Sequence, residues 1–165
     1  MSETTGTTQE RYVVTRAVAA TPAQVYALLA DPTRHHETEP GDWVRDAIDP
    51  EPIAAVGQVF GVRMFFEEFG PYEMHNRVVA LEPDRVIAWE PGQYDDGGRL
   101  DTGGWTWRYD LAPDGDGTEV TLTYDWSATP QVVRDEIGGL PPFPASFLDE
   151  SLAALDTALT GTDPR

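Results

Sequence analysis

A chain of 165 residues with 40% hydrophobic content has the length of one ordinary domain and enough apolar mass for a sizeable core. Its 29 acids stand against 11 bases, every one an arginine, and the formal charge of -18 repels phosphates and anionic membrane surfaces, so no nucleic-acid partner is expected. With 0 cysteines, disulfides, Cys-ligated metal centres and thiol nucleophiles are excluded, and no apolar run approaches the roughly 18 residues of a membrane span, so no membrane insertion is expected.

Residues 1–10 are polar and aperiodic and read as a disordered lead-in. They have neither the basic start nor the apolar stretch of a secretory signal, and a cytoplasmic location is expected. Tyr12 to Ala19 alternates and is rich in Val, which predicts a strand. Thr21-Pro22-Ala23-Gln24 marks a helix start: Thr21 can cap, Pro22 suits the first helical position, and Gln24 stands where a capping box needs it. Val25, Leu28 and Leu29 form that helix's apolar stripe, and Asp31-Pro32 interrupts it and caps a second short turn through His35.

From Pro40 to Trp126 strand signals repeat: Trp43 to Ile48, Gln58 to Phe66, Tyr72 to Leu81, Arg85 to Glu90, then a hairpin. Asp49-Pro50-Glu51-Pro52, Phe69-Gly70-Pro71 and Glu82-Pro83-Asp84 carry turn chemistry, while the glycine-rich stretch Pro91 to Gly104 reads as a mobile loop. In the hairpin Trp105, Trp107, Tyr109 and Leu111 alternate on one strand and Val120, Leu122, Tyr124 and Trp126 on the other, around Pro113-Asp114-Gly115-Asp116-Gly117. Thr129-Pro130 opens a short helix that stops at Gly138-Gly139, and Leu140-Pro141-Pro142-Phe143-Pro144 forms a stiff apolar link. Leu148, Leu152, Leu155 and Leu159 then lie on one face of a final helix ended by Gly161.

Strand, two short helices, a run of strands and one long amphipathic helix is an α+β order. It predicts a curved antiparallel sheet of about seven strands gripping the C-terminal helix, in a single domain over residues 11–161 with 162–165 as a tail. The order and four local strings resemble the START-like, helix-grip superfamily in its polyketide cyclase/dehydrase-like branch. The strings run from Ala17 to Pro32, from Val56 to Phe60, from Leu81 to Arg85 and from Pro113 to Thr121. The resemblance implies a deep cavity between sheet and C-terminal helix that takes apolar molecules such as lipids, hormones and polyketides. It implies no particular reaction, because the superfamily includes cyclases, carriers, receptors and adaptors.

Period-two counting turns Phe60, Val62, Met64 and Phe66 inward on one strand and Tyr72, Met74, Asn76 and Val78 on the next. Asn76 among apolar neighbours needs a hydrogen-bond partner, either a tyrosine hydroxyl or a ligand, unless it faces a wet strand end. Tyr72, Asn76, Tyr109 and Tyr124 are the catalytic candidates, able to polarise a ligand carbonyl; the alternative is that the tyrosines only pack. Trp105, Trp107 and Trp126 offer a stacking wall, Trp89 joins whichever face stays open, and Phe147, Leu148, Leu152 and Leu155 supply the helix side of the cavity.

His75, next to Asn76, falls on the convex face. His35-His36-Glu37 and Glu39 lack a fixed metal-ligand spacing and read as a solvated loop, so no metal is expected. Glu67-Glu68 and Asp95-Asp96 read as solvated, and Glu90 is a candidate guard of the cavity mouth with Arg99 as its counter-charge. No phosphate-binding glycine pattern and no Gly-x-Ser-x-Gly elbow is present, and no cofactor is expected.

Three functions compete on these residues. Binding of a small hydrophobic, ring-bearing molecule ranks first, a cofactor-free cyclase or aromatase acting on a polyketide-like carbonyl compound second, and a protein-binding adaptor third. The sequence sets neither the ligand's identity nor an oligomeric state. The lysine-free, Ala-, Gly- and Pro-rich usage reads as a GC-rich genome, with adaptation to high salt as the alternative source of the acidity.

Overall fold

Alternating apolar residues pay off as strands only when each finds a neighbour, and here the neighbours form one antiparallel sheet. The computed structural model describes residues 10–39, 41–67, 70–136 and 143–161. Of the expected features, residues 1–9, Glu68, Phe69, Gly138-Gly139, Leu140-Pro141-Pro142 and the tail 162–165 lie outside the described residues. The elements are β1 (Arg11–Val18), α1 (Pro22–Leu29), a 3-10 helix (Pro32–Thr38), β2 (Val44–Ala47), β3 (Val59–Phe66), β4 (Gly70–Glu82) and β5 (Val86–Tyr94). They continue with β6 (Leu100–Thr102), β7 (Thr106–Asp114), β8 (Gly117–Asp125), α2 (Gln131–Glu136) and α3 (Ser146–Thr160).

The 8-stranded sheet runs β1-β8-β7-β5-β4-β3-β2, with β6 paired to β5 beside that path. Successive hairpins from β2 onward form a meander, and β1 closes it on the far side of β8, with Tyr12 opposite Tyr124 and Val18 opposite Thr118. Pairing the first strand to the last is long-range, and the tight β7–β8 turn helps hold it. A Cβ on Gly117 would lie 2.4 Å from the Val18 carbonyl oxygen, so only glycine lets the turn sit against the end of β1.

The expected start of α1 is present in full: Thr21 accepts from the Gln24 N–H at 3.2 Å, and the Gln24 side chain accepts from the Thr21 N–H at 2.8 Å. Asp31 then caps the 3-10 helix through the Thr33 N–H at 3.0 Å. That segment is not the solvated loop expected of His35 to Glu39. His35 and Glu39 are buried, because the apolar body of the helix pair carries them into the core.

Pro91 to Gly104 also departs from expectation. β5 runs through Pro91 to Tyr94, and β6 folds back on it with Gly92 opposite Thr102 and Tyr94 opposite Leu100. Pro91 is tolerated because it falls where β5 exchanges β7 for β6 as a partner, a place with little call for its missing N–H. Gly104, at φ 94, is held close to Ala128 and Thr129, where a Cβ would meet the Ala128 carbonyl at 2.8 Å.

α3 lays Leu148, Leu152 and Leu155 against the sheet, all three sealed together with Val25, Leu28, Leu29, Ile87, Val120 and Leu122. Each leucine buried in this way contributes about 2 kcal/mol. Arg16 of β1 holds Asp156 of α3 at 3.1 Å, and the Ser151 hydroxyl donates to the Thr38 carbonyl, so both β1 and the 3-10 helix fasten the helix. Gly161 ends it in the left-handed conformation at φ 69.

Candidate functional site

Register alone builds the floor of the site. Trp89 faces Trp107 across β5 and β7, Trp107 faces Tyr124 across β7 and β8, and Tyr124 faces Tyr12 across β8 and β1. Period-two alternation turns all of them to the concave side. The Trp107 and Tyr124 rings lie 4.5 Å apart, and Trp126 continues the row at 5.7 Å from Tyr124 and 5.1 Å from Tyr12.

The cover comes from two other segments. Phe143, before α3, stacks on Trp107 at 5.7 Å and reaches Tyr124 at 5.0 Å, while Phe147 in the first turn of α3 lies 4.8 Å from Phe143. Trp43, entering β2, touches Phe143 at 5.9 Å and Phe147 at 5.6 Å, and its indole N–H donates to the Tyr72 hydroxyl at 2.6 Å. A continuous arch of rings thus joins β1, β8 and β7 to β4 through the segments leading into α3 and β2.

The expected site residues divide between this arch and a deeper layer. Tyr72, Trp107, Tyr124, Trp126 and Phe147 belong to the arch, with half-buried Met74 beside Tyr72 on β4. Trp105 packs on the core but joins no ring of the arch, because its indole folds over Gly103, where a Cβ would meet it at 1.9 Å. Phe60, Trp89 and Tyr109 lie deeper, and Met64, Leu148, Leu152 and Leu155 are sealed in the core. Phe66, expected inward, is exposed at the end of β3.

Sequence reasoning missed Trp43, Phe143 and His35. Trp43 follows Gly41-Asp42 and Phe143 sits among prolines, so neither has a periodic neighbourhood to reveal its direction. The His35 imidazole stacks on Trp89 at 5.0 Å and stands edge-on to Phe60 at 5.3 Å, with Nε2 at 2.7 Å from the Leu29 carbonyl oxygen.

Several polar atoms in this interior have no hydrogen-bond partner among the described residues. Asn76 is 4% exposed, and its carboxamide N–H reaches only the Phe60 carbonyl at a long 3.4 Å, leaving its oxygen unpaired. The Trp89 indole N–H and the Tyr124 hydroxyl likewise make no hydrogen bond among the described residues, although Tyr124 is 2% exposed. These atoms keep a little accessible area; the Thr129 hydroxyl is the sealed unpaired side-chain atom among the described residues. Asn76, Trp89 and Tyr124 belong to one contiguous concave strip across β4, β5, β7 and β8.

Burial sets the protonation of the tyrosines. It pushes the Tyr109 hydroxyl up to about 12, with hydrogen bonding to Ser151 and Thr38 acting the other way. It raises the Tyr124 hydroxyl further, and raises Tyr72 against the opposing hydrogen bond from Trp43. All three stay protonated near neutrality and are donors rather than bases; Tyr72 and Tyr124 lie in the arch, whereas the Tyr109 hydroxyl is already engaged by Ser151 and Thr38.

Other candidates are placed elsewhere. The Glu39 carboxylate is taken up by the N–H groups of Gly41, Trp43 and Val44 at 3.0, 2.9 and 3.2 Å. Glu90 lies opposite Arg77 on the convex face and forms no ion pair with Arg99, because alternation from Trp89 turns it away from the concave side. His75 also takes the convex side, 4.7 Å from Tyr94. A separate surface recess of about 590 Å³, lined by Thr21, Ala23, Arg85, Leu111 and Pro113 among others, lies at the far end of β7 from Trp107.

A curved antiparallel sheet gripping a C-terminal helix, with a ring-walled concave face, defines a helix-grip protein. The chain belongs to the polyketide cyclase/dehydrase and lipid transport family, whose profile matches residues 9–160. It is similar to the uncharacterized protein Rv0088 of Mycobacterium tuberculosis, 32% identical over 144 residues, which cover 84% of this chain and 59% of that protein. The chain thus spans about three fifths of the length of the curated relatives it matches. Its fold is similar to that of Ms6760 from Mycobacterium smegmatis, with TM-score 0.66, 16% identity and 93% of each chain covered. A protein from Arthrobacter aurescens matches with TM-score 0.68 and 16% identity over 93% of this chain and 87% of that one.

Proposed function

We propose that this protein binds a small, hydrophobic, ring-bearing molecule on the concave strip between sheet and α3, beneath the aromatic arch. The observation that carries this reading is a set of polar atoms on three buried residues, the Asn76 carboxamide oxygen, the Trp89 indole N–H and the Tyr124 hydroxyl, which have no hydrogen-bond partner among the described residues and keep a little accessible area. Accessible, unpaired polar atoms in an otherwise apolar interior can reach a ligand, and closing over them without a partner costs about 1–3 kcal/mol per group. A largely apolar ligand with a few polar groups supplies the missing partners, and the surrounding rings offer faces for stacking.

A cofactor-free cyclase or aromatase reaction is the second reading, favoured by the Tyr124 hydroxyl, which burial keeps protonated and which has no hydrogen-bond partner among the described residues. Such a donor could polarise a bound carbonyl and stabilise an enolate. Native mass spectrometry of the protein recovered from its host's extract tests the binding reading. The expected spectrum shows a retained apolar compound whose occupancy falls in Tyr124→Phe. A compound retained equally by the variant, or protein that ignores ring compounds altogether, contradicts it.

A further inference from the structure

The 3-10 helix carries a histidine that the arch does not use. His35 is 5% exposed, and its Nε2 lies 2.7 Å from the Leu29 carbonyl oxygen. A carbonyl oxygen only accepts, so Nε2 carries the proton and Nδ1 presents a bare lone pair. That Nδ1 has no partner among the described residues and is not sealed off. Burial holds the imidazole below the usual histidine range, which keeps it neutral. The same ring stacks on Trp89, whose indole N–H is unpaired, and stands against Phe60, whose carbonyl is the distant partner of Asn76.

A bare acceptor stacked on an indole with a free N–H matches a group that both donates and accepts. A hydroxyl does so; an ether accepts only, and a carboxylate brings a charge. Arg16, the arginine that register turns to the concave side of β1, is held by Asp156, and the chain's net charge of -18 opposes anions. We propose that His35 is a specificity-determining residue that receives a neutral hydroxyl, phenolic or enolic, at the buried end of a ring-bearing ligand through Nδ1. This rests on the ring-binding reading above and adds which polar group the site selects and which residue selects it.

The test measures binding of β-naphthol, its methyl ether and β-naphthoate to the full chain by titration calorimetry. β-Naphthol is expected to bind at least about tenfold tighter than either relative, the worth of one good hydrogen bond. In His35→Phe that preference disappears, β-naphthol binding no tighter than its methyl ether. Because this variant changes the core, nitrogen NMR of the unaltered protein gives an independent readout: β-naphthol shifts the His35 Nδ1 resonance and leaves Nε2 in place. Equal binding of all three probes, or a stationary Nδ1 resonance, overturns the role of His35 and leaves ring binding intact. Failure of all three to bind overturns the ring-binding reading and this inference together.

Discussion

The Trp43 indole donates to the Tyr72 hydroxyl at 2.6 Å, tying the segment that enters β2 to β4. Tyr72→Phe removes the acceptor and leaves the indole N–H without a protein partner. The pair is only half-buried, so the expected loss is about 1 kcal/mol, accompanied by a change in tryptophan fluorescence. Urea denaturation with both readouts checks it; unchanged stability and emission would show that Trp43 is held by its ring contacts alone.

Phe143 touches Trp43, Trp107, Tyr124 and Phe147 and is the hub of the arch. Phe143→Ala is expected to cost about 2–3 kcal/mol, somewhat below a fully buried phenylalanine, and to weaken the near-ultraviolet circular dichroism of the coupled rings. A variant with native stability but a collapsed aromatic signal would mean that the arch is dispensable for folding and serves the ligand only.

Tyr109 predicts an alkaline limb in stability. Its hydroxyl is raised from 10.0 to about 12 in the folded protein, so between these values the unfolded chain has lost the proton that the folded chain keeps. The folded state then binds more protons, and stability is full below pH 10 and falls as pH rises toward 12. The loss is on the order of 3 kcal/mol, and Tyr109→Phe should flatten part of it. Denaturant midpoints across that range decide the matter, since a slope unchanged in the variant would assign the limb to other groups.

Glu39 gathers the N–H groups of Gly41, Trp43 and Val44. Glu39→Ala is expected to cost about 1–3 kcal/mol by leaving these donors without their acceptor, and Glu39→Gln should recover part of the loss. Equal stability of all three proteins would mean that water replaces the carboxylate without cost.

Much of this fold was legible because it is periodic. The alternation of Trp107, Tyr109 and Leu111 against Val120, Leu122 and Tyr124 fixes which face is concave, and the leucine spacing fixes the buried side of α3. The Thr21–Gln24 capping box was readable because it is made of side chains near in sequence. What escaped reading depends on tertiary contact. β6 exists because β5 outruns β7 and leaves an edge to pair, and the glycines around it hide that preference. Trp43 and Phe143 take their direction from rings far away in the chain, and His35 looks solvated until its 3-10 helix sets it against Trp89 and Phe60. The concave positions of Asn76 and Tyr124 followed from counting; the single long hydrogen bond of Asn76 to the Phe60 carbonyl did not.

The place of binding is the most direct test, and the indole N–H resonances of the 5 tryptophans report it. On titration with β-naphthol, the signals of Trp89 and Trp107 should move together while the backbone amides of Ala23 and Arg85, at the separate surface recess, stay still. Movement confined to that recess, with Trp89 and Trp107 unperturbed, would contradict a ligand site beneath the arch.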